Sequence, residues 1–235
     1  MNSIFSLESK TAVVTGAARG NGKAIANGLR DAGANVIGLD KLEAENCFMC
    51  DITNTNNIID CLDGYDTIDV LVNNAGVSSP CDFLDYPEDD WDKTHEINVK
   101  APFKMMQIVG EKMKNKGGSI INITSLNSEM AFPNNPAYVS SKGALKQLTK
   151  SAALDLGCYG IRANNVGPGY FKTEMTRGSW EDAQKNKERA EKTILNRWGK
   201  PNDLVGVVVF LSSDASLYIT GQDIYVDGGW LIKGL

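Results

Sequence analysis

Histidine is nearly missing from this chain: His95 is the only one in 235 residues. It stands among polar residues that suit a helix, so any proton chemistry is expected to fall to other side chains. The cysteines are few, odd in number and scattered: Cys47, Cys50, Cys61, Cys81 and Cys158. That set excludes a disulfide framework. Cys47 and Cys50 have the spacing of a redox or zinc pair. They fall, however, in a short apolar run that reads as a strand, where positions three apart face opposite sides. No second Cys or His pair accompanies them, so they read as small buried hydrophobes and no metal is expected. No run of 18 apolar residues is present, and Met1–Lys10 lacks a signal-peptide pattern. The expectation is a cytoplasmic protein with no membrane partner. Basic residues are outnumbered, 24 against 29 acidic, for a net charge of −5. This argues against nucleic acid as a partner. Internal repeats, low-complexity tracts and linkers are also missing. Residues 1–235, 42% of them hydrophobic, therefore read as one globular domain with a full core.

What is there centres on Tyr138-Val139-Ser140-Ser141-Lys142. The flanking residues predict a helix over Ala137–Leu156, which puts Tyr138 and Lys142 on one face, one turn apart. A free phenol has a pKa of about 10 and gives up its proton poorly near neutrality. An ammonium held close favours the phenolate, so the pair reads as a tuned acid and base with the Tyr138 pKa lowered. On a solvated helix face the same pair would be an ordinary surface contact.

Ahead of that helix the chain alternates strand and helix. Lys10–Thr15 is a Val-rich strand that runs into Thr15-Gly16-Ala17-Ala18-Arg19-Gly20-Asn21-Gly22, and a helical pattern follows to Ala32, where Gly33 stops it. This unit suits a phosphate cradle. Gly16 permits the turn, Gly20 lets the backbone approach a pyrophosphate, and Gly22 lets helix and strand pack closely. The helix N-terminus supplies free N–H groups and a positive dipole. The second strand, Asn35–Asp40, ends in a carboxylate suited to two ribose hydroxyls and hostile to a 2′-phosphate, which favours NAD over NADP. Arg19 and Lys41 lie near enough to weaken that preference, so NADP stays possible.

Only Lys41–Asn46 separate this strand from the next, which starts at Cys47. Six extended residues reach ~20 Å, so a return without a helix is predicted. Asp51 and Ile52 close the third strand. Asp51 suits either an adenine amino group or the cap of a helix over Thr55–Leu62. Ile68–Val72 is a fourth strand closed by Asn73-Asn74-Ala75-Gly76. A helical region over Asp89–Lys116 carries Asn98. Ser119–Thr124 is a fifth strand ending at Ser125, Ile161–Val166 a sixth and Asp223–Val226 the last. Pro168-Gly169-Tyr170-Phe171-Lys172-Thr173 is shaped to pass under a flat ring and offer the Phe171 backbone and the Thr173 hydroxyl to an amide. The polar stretch at about 173–197, with Arg177, Lys185, Lys187, Arg189, Lys192 and Arg197, reads as a solvated excursion or as a lid whose cations meet an anionic group.

In this order and at these spacings, the residues from Lys10 to Gly229 resemble the short-chain dehydrogenase/reductase family. They are Gly16, Gly20 and Gly22, Asn73 to Gly76, Ile97-Asn98-Val99, Ser125, Tyr138, Lys142, Pro168-Gly169, Thr173 and Val226-Asp227-Gly228-Gly229. Asn21 departs from the usual aliphatic residue of the glycine loop. The resemblance implies an α/β, Rossmann-type, doubly wound sheet of seven parallel strands in the order 3-2-1-4-5-6-7, with helices on both faces. It implies that Tyr138 transfers the proton, Lys142 binds the nicotinamide ribose, Ser125 holds the substrate oxygen, and Asn98 fixes a helix distortion. It also implies a homotetramer or homodimer with the last strand and its tail at an interface. Asn196 to Pro201 and Ile224 to Trp230 resemble gluconate and deoxygluconate dehydrogenases, which implies an alcohol or ketone substrate among sugar acids and polyols. A reductase of carrier-bound 3-oxoacyl groups using NADPH is the alternative, and a nucleotide-binding regulator without catalysis a third.

Overall fold

Val13 and Val14 are both fully buried, although they point to opposite faces of one strand. Only a sheet covered on both sides allows this, and it explains why the strands read as unbroken apolar runs. The computed structural model describes residues 3–233; Met1, Asn2, Gly234 and Leu235 lie outside the described residues. In chain order the elements are β1 (Thr11–Thr15), α1 (Gly20–Asp31), β2 (Asn35–Asp40), β3 (Cys47–Met49), α2 (Thr55–Leu62), β4 (Val70–Asn73) and α3 (Glu88–His95). A π-helical turn over Glu96–Lys100 leads into α4 (Ala101–Met113), followed by β5 (Gly118–Ile123), α5 (Pro136–Leu156) and β6 (Ile161–Pro168). Then come α6 (Arg177–Trp180), α7 (Ala183–Glu191), α8 (Val205–Ser212), β7 (Asp223–Val226) and α9 (Trp230–Lys233).

The seven strands form one parallel sheet in the order 3-2-1-4-5-6-7, as the resemblance implied. Alternation along each strand sorts the core into two layers. Ala12, Val14, Val70, Val72, Ile121 and Ile123 pack with Ile25 and Leu29 of α1 and Val208 and Leu211 of α8. Val13, Leu71 and Ile120 pack on the other face with Ile58 and Leu62 of α2 and Met105, Val109 and Met113 of α4. Cys47 joins the first layer and Cys50 the second, the opposite facing expected of strand positions three apart.

The connection from β2 to β3 contains no helix, in keeping with its length. β3 runs parallel to β2, with Gly38 opposite Cys47 and Asp40 opposite Met49. The helical region expected over Asp89–Lys116 is present as α3, a π turn at Glu96–Lys100 and α4, with Asn98 inside the distortion that the resemblance implied. One helical reading needs correction. The cap of α2 is Asn54, whose side chain accepts the N–H groups of Asn56 and Asn57. Asp51 instead accepts from the Thr53 backbone and hydroxyl and pairs with Lys41 at 2.9 Å, because Lys41 lies across the short connection.

A chain of buried amides crosses the second face. Asn73 Nδ2 donates to Asn122 Oδ1 at 2.8 Å, and Asn122 Nδ2 donates to Thr149 Oγ1 at 2.7 Å. The Thr149 hydroxyl lies 2.6 Å from Asn165 Oδ1 and 2.8 Å from the Leu145 carbonyl. α5 is thereby fixed to β4, β5 and β6 two turns beyond Lys142. Asn122→Ala strands the Asn73 and Thr149 groups in a dry interior, and should cost about 2–4 kcal/mol by urea unfolding. A loss below about 1 kcal/mol would show that the amide chain contributes little to stability.

Candidate active site

β1 ends at Thr15, and the next residue must turn back on itself. Gly16 does so at φ +68°, where a Cβ would lie 2.9 Å from Asn74 Nδ2 and 3.0 Å from Ala75 Cα. At Gly22 a Cβ would lie 2.0 Å from the Gly16 carbonyl oxygen, so only glycine fits. The Asn73–Gly76 turn is riveted to this loop. Asn74 Nδ2 donates to the carbonyls of Thr15 and Gly16, while the Thr15 hydroxyl accepts the N–H groups of Asn74 and Ala75. Asp40 closes the other side. Its carboxylate accepts Ala18 N–H at 2.9 Å and Leu42 N–H at 3.0 Å, which fixes it against the loop.

A cleft of about 850 Å³ runs along the carboxyl ends of the strands, where open α/β sheets bind ligands. Gly16, Arg19, Gly20, Asn21, Gly22, Asp40 and Ile52 line one end. Asn74, Ala75 and Gly76 line its middle, and Ser125, Tyr138, Lys142, Pro168, Gly169, Phe171 and Thr173 the rest. Two expected residues are not on its wall. Asp51 is turned toward Lys41 and Thr53. Asn98 is fully buried behind the wall, where its Oδ1 accepts Val77 N–H and its Nδ2 donates to the Val77 carbonyl and the Ser141 hydroxyl. This clasp sits within the π turn. A Cβ at Gly76 would lie 3.2 Å from Asn98 Oδ1 and 3.6 Å from Lys142 Nζ, so both groups flank that glycine.

α5 carries Tyr138 and Lys142 into the cleft. Lys142 is buried, and its Nζ donates to the Ile123 carbonyl at 2.7 Å and lies 5.6 Å from the centre of the Tyr138 ring. Burial disfavours the ammonium and lowers its pKa to about 8. Burial acts on the phenol in the opposite direction. The Tyr138 pKa is raised, with desolvation outweighing the downward pull of the Ser125 hydroxyl beside it, and nearby Tyr170 adds to the rise. That direction is opposite to the one expected from the lysine spacing, and the ammonium is not among its causes: Lys142 Nζ, 5.6 Å from the ring centre, bonds the Ile123 carbonyl instead. Ser125 is itself held by Asn127, whose N–H donates to the Ser125 hydroxyl at 3.2 Å.

Thr176 was not legible from the sequence. Its hydroxyl donates to the Phe171 carbonyl at 2.6 Å, lies 3.3 Å from Thr173 Oγ1 and accepts Thr173 N–H. It folds the segment back under the cleft. The polar stretch after Thr173 is anchored on it: Trp180 Nε1 donates to the Thr173 carbonyl, and Trp198 Nε1 to the Asn186 carbonyl. Phe132, Tyr170 and Arg189 also line the cleft, and no periodic pattern marks them. His95 lies outside it, bridging the Trp91 carbonyl and the Ser140 hydroxyl. Among the described residues, no group of three or more His, Cys, Asp or Glu is placed to hold a metal ion. No helix among them is long and apolar enough to cross a membrane.

The cleft suits a dinucleotide. At Gly20, φ +56°, a side chain would meet only Thr173, at 3.7 Å, so the backbone at the start of α1 lies open for close approach. Residues 16–231 match the family described as enoyl-(acyl carrier protein) reductase. The chain is 39% identical to the gluconate 5-dehydrogenase of Gluconobacter oxydans over 246 residues, covering 96% of each. It is 36% identical to the 5-keto-D-gluconate 5-reductase of Escherichia coli K12 over 252 residues, covering 99% of each. Among solved structures, the gluconate 5-dehydrogenase of Burkholderia cenocepacia, in complex with NADP and tartrate, superposes with a TM-score of 0.91 at 34% identity over 97% of both chains.

Spectrophotometric titration of phenolate, taken as the difference between this protein and Tyr138→Phe, should put Tyr138 above the ordinary tyrosine value. A midpoint below about 9 would restore the acidified phenol.

Proposed function

The chain belongs to the short-chain dehydrogenase/reductase family, and on that premise we propose that it is an NAD(H)-dependent oxidoreductase interconverting a secondary alcohol and a ketone on a sugar acid. The observation that carries this reading is one continuous cleft. It has a glycine loop and the Asp40 carboxylate at one end, and Ser125, Tyr138 and Lys142 on the wall of the other. The names of the relatives supply the substrate class.

The bound nicotinamide would accept or return the hydride. Gly16, Gly20 and Gly22 would hold the pyrophosphate through backbone N–H groups. Asn74, Ala75 and Gly76 would run along the ribose, and Phe171 and Thr173 would meet the carboxamide. Ser125 would hold the substrate oxygen, and Tyr138 would give it a proton in reduction or take one in oxidation. Because burial keeps the phenol protonated, the donor form is ready throughout the neutral range. Lys142, while charged, favours the phenolate left behind, and its pKa of about 8 keeps it mainly charged at neutral pH. Asn98 would act at one remove, holding Val77 and Ser141 so that the Lys142 turn keeps its place.

Asp40 supports NAD over NADP. Its two oxygens each accept one backbone N–H, which leaves lone pairs for ribose hydroxyls and sets a negative charge against a 2′-phosphate. Lys41, in an exposed pair with Asp51, and Arg19 line the same end of the cleft and would weaken that preference without reversing it. The Burkholderia relative, by contrast, was found with NADP. The exposed side chains Leu154, Leu217, Tyr218 and Ile232 support assembly into a homodimer or homotetramer through α5 and the β7 end.

Purified protein should reduce NAD in the presence of D-gluconate, read as nicotinamide absorbance. Tyr138→Phe should lose about 10²–10⁴ of that rate while still binding NADH. Near-normal turnover by this variant would assign the proton transfer to another residue. Asp40→Ala should shrink the ratio of kcat/KM with NAD to that with NADP by at least about tenfold, and an unchanged ratio would remove Asp40 from cofactor choice.

A further inference from the structure

The cations of the segment after Thr173 are not equivalent. Arg177 pairs with Glu174 and reaches Glu181, Lys185 faces Asp182, Lys187 faces Glu191, and Arg197 forks onto Asp203. Arg189 differs: it lines the cleft and has neither a carboxylate partner nor a hydrogen bond among the described residues. Lys192, whose Nζ lies 5.7 Å from the centre of the Trp230 ring, also has no carboxylate partner but is off the cleft wall. The Arg189 Nε is buried and unpaired. The two terminal nitrogens of the guanidinium are also without a partner but are not sealed off, so they are the donors a ligand in the cleft can reach.

The side chain is also held in place. The guanidinium carbon lies 4.2 Å from the centre of the Tyr170 ring. Tyr170 is packed in turn against Trp230 at 5.0 Å, Phe132 at 5.6 Å and Trp198 at 5.7 Å between ring centres. The Trp198 bond to the Asn186 carbonyl fixes α7 one turn before Arg189. Tyr170 and Tyr138 line the same cleft. An aromatic wall next to the proton-transferring phenol thus presents a planar, rigid fork of donors toward the cleft. That fork matches the two oxygens of a carboxylate, where a lysine would offer only a point charge.

We propose that Arg189 is the receptor for the substrate's carboxylate, seating a sugar acid with its charged end under α7 and its reacting hydroxyl at Ser125 and Tyr138. This rests on the sugar-acid reading above. Arg189 would therefore select sugar acids over neutral polyols and amides of the same length.

The test compares D-gluconate with the neutral D-gluconamide for the full-length protein, Arg189→Gln and Arg189→Lys. NADH binding followed by fluorescence serves as the check that each variant is folded. The expected result is a preference for the acid that falls about 10²-fold in Arg189→Gln, through a rise in KM for gluconate, and that Arg189→Lys restores in part. A variant that binds NADH but keeps the acid-to-amide ratio within about threefold would overturn the assignment while leaving the sugar-acid reading intact. If the unaltered protein oxidises gluconate and gluconamide equally well, the carboxylate is not recognised and the assignment also falls. If it oxidises only neutral polyols and no sugar acid, the function reading fails and the role of Arg189 fails with it.

Discussion

A lysine ammonium driven 19 residues back along the chain, onto the last carbonyl of a central strand, is the constraint around which the cleft is arranged. Lys142 reaches the Ile123 oxygen from inside the protein, where an amine resists carrying charge. That position is tolerable only because the surroundings are held tightly. The Asn98 amide clasps Val77 from both sides and reaches Ser141, next to Lys142 on α5. The helix containing Asn98 gives up regular hydrogen bonding for one π turn to make this possible, and such turns commonly mark working sites. Thr149 then fixes α5 two turns beyond Lys142 through the buried amides. The phenol of Tyr138 inherits its place from these contacts rather than from any strong bond of its own.

Much of this was legible in the residues because the signals were local. The apolar runs at Lys10–Thr15 and Ser119–Thr124, the glycines that punctuate the first turn, and the too-short connection after Asp40 all act over a few residues. The structure follows them closely. Strand order came from the resemblance, since periodicity says nothing about neighbours. Spacing reveals that Lys142 is near Tyr138, but not that its ammonium is engaged by the Ile123 carbonyl, nor that withdrawal of the phenol from water raises its pKa. Asp51 does not cap α2 and pairs with Lys41, which only the folded connection brings near. Thr176 carries no sequence mark although its partners, Phe171 and Thr173, are close in the chain, and Arg189 was legible only as one of six cations after Thr173, since the rings that set it apart come from Phe132, Tyr170, Trp198 and Trp230.

The segment after Thr173 combines two properties that a substrate cover needs. Indole N–H groups at Trp180 and Trp198 tie it down by backbone carbonyls, so its attachment does not depend on the charges it carries. Most of those charges are spent on neighbours in exposed pairs, which contribute little to stability. On the proposal that Arg189 receives the substrate, recognition would fall to the cleft-facing side of α7.

The short return between β2 and β3 has a cost and a safeguard. With no helix over it, the sheet ends in a strand whose Phe48 and Met49 are 48% and 68% exposed, a combination that invites edge-to-edge polymerisation. β3 is only three residues long, too brief a template for another chain to zip along. The truncation that bares the apolar side chains therefore also denies a fibril the ladder it would need to grow.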